Sequence, residues 1–202
     1  MTPVLFLDFD GPMFPNNGIN LSPNMSQYPG KLEFHHFINY WEMSKTSVRQ
    51  LNYLYDIFQF DTVISSSWRH YCDKEHIVEL FEVNDLHLHL HDRWLTPGKL
   101  SSYRVNDICW WLDESTVNQD DKFICPSHII LDDPWSGEYL ESSKDHGLEE
   151  AYLINPDLGI DSDIFAFMKS KVRSWRDDYV SRSFERVFPA RDWDGIVPAE
   201  TK

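Results

Sequence analysis

The run Val4-Leu5-Phe6-Leu7-Asp8-Phe9, closed by Asp10-Gly11-Pro12, constrains this chain more than any other feature. A short, nearly continuous apolar run ending in a turn signal marks a strand buried on both faces. Such strands belong to parallel sheets covered by helices on each side. Strands deplete Asp, so two acids at the end of a buried one need a compensating cation or donors. Residues two apart on an extended chain face one side, which predicts that Asp8 and Asp10 share one space, with Gly11 permitting the sharp exit.

The pattern of a strand followed by a helix repeats. Residues 12–43 open with Pro, Asn, Gly and Ser at high density and no clear period, which predicts a surface excursion. Val48, Leu51, Leu54, Tyr55 and Phe58 fall at helical spacing over Ser44–Phe58, with Ser44 or Thr46 as caps, and an apolar strand follows at Asp61–Ser65. An acidic helix capped by Asp73 runs to Val83, and Leu86–Leu90 alternates as a strand. A helix capped by Ser101 or Ser102 runs through Leu112, and Ile129–Leu131 ends in Asp132-Asp133. This alternation predicts an α/β fold, a three-layer Rossmann-like parallel sheet with helices on both faces. The length of 202 residues fits one domain. We divide it into a core of residues 1–160 and a helical extension, residues 161–202, packed on the same domain, with Ile164, Phe167, Met168, Val172 and Trp175 on one stripe.

Charge restricts partners. Acidic residues outnumber basic ones 33 to 18, a formal charge of −15 that repels phosphate backbones and anionic lipid at long range. A local basic pocket escapes that field, because the Debye length is about 8 Å at physiological salt. Cys72, Cys109 and Cys125 have no CxxC spacing, which favours reduced thiols over a disulfide framework. No apolar run approaches the ~18 residues of a membrane span, and the N-terminus has no signal-peptide pattern. The expected location is the cytoplasm, or a host cell reached without a cleavable signal.

In an open α/β sheet, ligands bind beyond the carboxyl ends of the strands. Three ends carry polar residues: Asp8 and Asp10; Ser65-Ser66-Ser67-Trp68-Arg69; and Asp132-Asp133-Pro134. The serines offer hydroxyls and free amides suited to phosphate oxygens. Four acids meeting in one cleft require a divalent cation, and an oxygen-only set suits Mg²⁺.

These ends, in this order, resemble the haloacid dehalogenase superfamily of phosphohydrolases over roughly residues 4 to 134. The resemblance implies that Asp8 is the nucleophile and Asp10 the general acid and base of a Mg²⁺-dependent phosphomonoester hydrolase working through an aspartyl-phosphate. It implies that Ser66 or Ser65 holds the phosphoryl group, and that Lys99 or Arg104 supplies charge. The metal set it implies is Asp8, Asp10, Asp132 and Asp133, with a main-chain carbonyl near Asp10 contributing. Pro12 departs from the Thr or Val that usually follows the DxDG turn.

Neither intermotif stretch has room for a large lid, and capless members of the superfamily accept phosphate on large molecules. The substrate is then a phosphorylated macromolecule, and the charge of −15 ranks protein above nucleic acid. The Asp-Phe-Asp-Gly-Pro turn is similar to that of bacterial effector phosphatases acting on phosphotyrosine. Ser-Ser-Trp-Arg instead resembles the capless domains found beside RNA-repair enzymes, which implies a nucleic-acid end-healing phosphatase. A non-catalytic Mg²⁺-binding interaction module is the third reading. His87, His89 and His91 alternate with leucines and are better explained as the polar face of a strand than as a zinc site. His35, His36, Phe34, Phe37, Tyr40 and Trp41 are read as loop packing.

Overall fold

The computed structural model describes residues 2–15, 42–70, 72–98, 104–119, 122–124, 126–132, 151–155 and 157–187. Five strands form one sheet in the order β3-β2-β1-β6-β7. They are β1 (Val4–Leu7), β2 (Asp61–Ile64), β3 (His89–Leu95), β6 (His128–Asp132) and β7 (Ala151–Leu153), and every neighbouring pair is parallel. Parallel neighbours require crossovers: α1 (Lys45–Ile57) lies between β1 and β2, α2 (Lys74–Val83) between β2 and β3, and α3 (Arg104–Ser115) on the return from β3 to β6. A short antiparallel hairpin, β4 (Val117–Gln119) with β5 (Lys122–Ile124), lies between α3 and β6, and α4 (Ser162–Val187) ends the described chain.

The alternation within β1 sorts the two cores. Leu5 and Leu7 point to one face with Ile64, Ile129 and Leu131, where Leu51 and Leu54 of α1, Ile77 and Leu80 of α2, and Met168, Val172 and Trp175 of α4 cover them. Val4 and Phe6 point to the other with Val63 and Ile130, under Val105, Ile108, Trp111 and Leu112 of α3. Each of these side chains is buried, so both faces of β1 are dry, as its unbroken apolar run predicts. The three layers and the parallel sheet agree with the expected α/β class.

The helix boundaries follow local chemistry. Ser44 caps α1 by accepting from the Ser47 amide. Asp73 caps α2 by accepting from His76, whose ring accepts from the Asp73 amide in return. The third strand is displaced from its expected place: it begins at His89, not Leu86, and carries a register shift opposite Thr62–Ile64. Leu86, Leu88 and Leu90 are nonetheless all buried, so the alternation reports burial correctly while the ladder starts later. The described residues of 67–98 include a 3-10 turn (Ser67–His70), α2 and β3. The excursion at 16–41, with His35, His36 and their aromatic neighbours, lies outside the described residues.

Candidate active site

β1 is the switch point of the sheet: the chain leaves it toward β2 on one side and returns as β6 on the other, which opens a crevice at its carboxyl end. Leu7 pairs with Ile64 on one side and Leu131 on the other. The residues just beyond, Asp8, Ser65 and Asp132, therefore come together. The Asp8 amide donates to the Leu131 carbonyl at 2.9 Å, and the Ser65 amide donates to the Leu7 carbonyl at 2.9 Å. Asp8, Ser65, Ser66 and Asp132 are all buried.

Arg104, the first residue of α3, reaches over this end and bonds both acids. One guanidinium nitrogen donates to Asp132 Oδ1 at 2.6 Å and also to Asp8 Oδ2. Two desolvated carboxylates thus share one guanidinium. The consequence is visible in Asp8, whose carboxyl is pushed well above its ordinary range by burial first and by Asp132 second. Arg104 and a hydrogen bond from the Ser66 hydroxyl pull it back only in part.

Asp10 has different surroundings. β1 ends at Leu7, so the alternation does not run on: the Met13 and Phe14 amides both turn back to the Phe9 carbonyl, and Gly11 sits at φ 83°. The Asp10 carboxylate, half-buried, accepts from the Trp68 indole N–H, with both oxygens at 3.2 Å. Trp68 is fixed by stacking on Phe14 at 5.0 Å between centroids and by packing on Phe9. The strand-period reason for Asp8 and Asp10 sharing one space does not apply, because β1 ends at Leu7 and the turn, not a strand, aims Asp10.

Two contacts clamp that turn. Ser47 of α1 donates its hydroxyl to the Pro12 carbonyl at 2.8 Å, and the Ser44 amide donates to the Met13 carbonyl at 2.8 Å. Gly159, at φ 70°, lies against the same place: a Cβ there would stand 3.3 Å from Ser47 Oγ and 3.4 Å from the Pro12 carbonyl.

A second buried cluster adjoins. Arg69, which follows the serine run, donates to Asp107 of α3 at 2.8 Å and to the Thr96 hydroxyl at 3.2 Å. Nothing local in the sequence assigns a role to Trp68, Arg69, Thr96 or Asp107. Ser-Ser-Trp-Arg is the signal that holds two of them, and the other two lack any local mark.

The remaining expected residues distribute as follows. Ser66 bonds Asp8, whereas the buried Ser65 hydroxyl has no hydrogen-bond partner among the described residues. Lys99 and Asp133 lie outside the described residues, as does Trp135. His87, His89 and His91 go separate ways, to Asp85, to Asp61 and against Trp111. Among the described residues no group of three or more His, Cys, Asp or Glu side chains gathers as for an ion. Asp8 and Asp132 together offer an all-oxygen pair, which suits Mg²⁺, an ion that takes one or two carboxylates and completes its shell with water and phosphate.

An acid pair at the switch point of a parallel sheet, a third acid on the following turn, hydroxyls after the second strand and a cation from the last crossover helix define a haloacid dehalogenase-type phosphatase. The chain belongs to the family described as the HAD domain in Swiss Army Knife RNA repair proteins, which matches residues 4–163. No curated protein and no solved structure matches it. Among the described residues no helix is long and apolar enough to cross a membrane.

Proposed function

We propose that this phosphatase removes the terminal phosphate from a nucleic-acid end, RNA being the favoured chain, with Mg²⁺ as cofactor. The observation that carries the chemistry is the buried Asp8–Asp132 pair, two acids held at adjacent strand ends with Arg104 across them. The substrate class rests on the family description, which names RNA repair. It reverses the order that net charge suggests, and the physical reason is range. A charge of −15 acts over about one Debye length, so it slows approach without deciding what a site lined by arginine binds.

Asp8 attacks phosphorus in line and becomes an aspartyl-phosphate as the ester oxygen leaves. Asp10, oriented by the Trp68 indole, gives its proton to that oxygen and then takes one from the water that hydrolyses the intermediate. Arg104, which bonds both acids, would meet the phosphoryl oxygens, and the Ser65 and Ser66 hydroxyls would donate to them. Asp8 and Asp132, with Asp133 and the Asp10 carbonyl, would hold Mg²⁺. When bound, the ion neutralises the carboxylates and the developing charge on the phosphoryl group.

The deciding experiment is a substrate panel in Mg²⁺: oligonucleotides phosphorylated at the 5′ or 3′ end, phosphotyrosine peptides and phosphoserine peptides. The expected result is the highest kcat/KM on an oligonucleotide end. Preference for phosphotyrosine peptides would replace this reading with that of a protein phosphatase. Tight Mg²⁺ binding with no turnover of any phosphoester would leave an interaction module.

A further inference from the structure

A cavity of about 500 Å³ lies where the end of β3 meets α3, and the reaction above makes no use of it. Arg69, Asp92, Arg93, Trp94, Thr96 and Trp110 are among the residues that line it. Hydrogen bonds tie its wall to the elements that carry the carboxylate pair. The Thr96 amide donates to the carbonyl of Ile64, the residue before Ser65, and Arg69 joins Thr96 to Asp107, which lies one turn along α3 from Arg104. A substrate whose phosphate sat at Asp8 would reach this opening with its next groups.

The walls select by shape more than by charge. Arg69 bonds Asp107, Arg93 pairs with Glu114 at 3.4 Å, and Asp92 adds a further acid at the rim. A phosphodiester therefore meets cations that acids already face. The indoles offer something else. Trp110 is 38% exposed and lines the opening, so part of its indole is open to a ligand there. The Arg93 guanidinium lies 5.8 Å from its ring centre and 5.0 Å from that of Trp111, so it stiffens one side of the platform. Trp111 is itself held by its indole N–H on the Arg93 carbonyl and by edge contact with Phe6. Flat aromatic walls with polar groups at the rim suit a ring that stacks and hydrogen-bonds at its edges, and the volume is that of a small-molecule site.

We infer that this cavity is a nucleobase subsite, in which a base from the last two nucleotides of the substrate stacks on Trp110 while its phosphate occupies the Asp8 site. The inference rests on the nucleic-acid reading above. It gives an acidic protein a way to hold a nucleic-acid end by stacking, without a basic track.

The test compares kcat/KM on a phosphorylated oligonucleotide with that on p-nitrophenyl phosphate, taken as a ratio. In Trp110→Ala the ratio falls roughly ten-fold, chiefly through KM, and in Trp110→Phe most of it is retained. An oligonucleotide whose last two positions lack bases shows the same loss with the unaltered protein and no further loss with Trp110→Ala. An unchanged ratio in Trp110→Ala, while intact oligonucleotides are still hydrolysed, would overturn the subsite and leave the proposed function standing. Preference for phosphopeptides by the unaltered protein would remove both.

Discussion

Two buried cation–carboxylate clusters stand one helical turn apart under α3, and they differ in balance. Arg104 is shared by two acids, Asp8 and Asp132, whereas Arg69 spans one acid, Asp107, and a neutral hydroxyl on Thr96. Buried ion pairs are tolerated when each charge finds an opposite charge and good donors. The second cluster meets that condition and joins the serine turn, β3 and α3 into one wall. The first does not, since the Asp8 carboxyl is driven well above its ordinary range. An arrangement that is costly alone and relieved by a divalent cation and a phosphoryl group is what a reactive site requires. Burial is common to both clusters; among the described residues, what sets the first apart is that two acids share one guanidinium.

The comparison breaks most sharply at the acids. Asp8→Asn is expected to reduce phosphate release to background in steady-state assays, and Asp10→Asn to lower kcat about 10²- to 10⁴-fold. The two arginines should then part company. Arg104→Met is expected to cost roughly 10²- to 10³-fold in kcat/KM on every phosphoester, read by the same assay. Arg69→Met leaves a carboxylate that is 0% exposed without this cation and should instead cost about 3–5 kcal/mol of stability, read as a melting temperature lowered by about 2–4 °C per kcal/mol. Equal kinetic losses in both variants, with unchanged stability, would erase the distinction.

Smaller effects sharpen it. Trp68→Phe removes the N–H that aims Asp10 and should slow turnover of an alkyl phosphate roughly ten-fold, with less effect on p-nitrophenyl phosphate, whose leaving group needs little protonation. The smallest is a matter of pH. Because the folded chain holds the Asp8 proton above its ordinary 3.8 while the unfolded chain releases it, the Asp8 contribution to metal-free stability is fully present at low pH and falls as the pH rises through that window. Thermal melts should show that decline flattened in Asp8→Asn and offset by added Mg²⁺ in the unaltered protein.

Much of this is legible in the chain itself because strong local signals carry it. Val4–Leu7 announces a doubly buried strand, Ser44 and Asp73 announce their helices, and the order of acids and serines at strand ends announces the reaction class. What was hidden depends on tertiary approach. β7 and the β4–β5 hairpin are three-residue strands with too few positions to show a period. β3 starts late because its register is set by pairing with Asp61 and Thr62 rather than by its own alternation. The partners of Asp10 and Arg69 lie 58 and 38 residues away, on the serine turn and on α3 respectively, and no spacing rule reaches so far.

Asp8 is the magnesium-dependent nucleophile of the proposed reaction, and trapping the intermediate tests that role most directly. An acid quench of Asp10→Asn, mixed with a phosphorylated substrate and Mg²⁺, followed by peptide mass spectrometry, should place a phosphoryl group on Asp8 only when the ion is present. A phosphoryl group on any other residue, or on Asp8 equally well in the presence of a chelator, would contradict it.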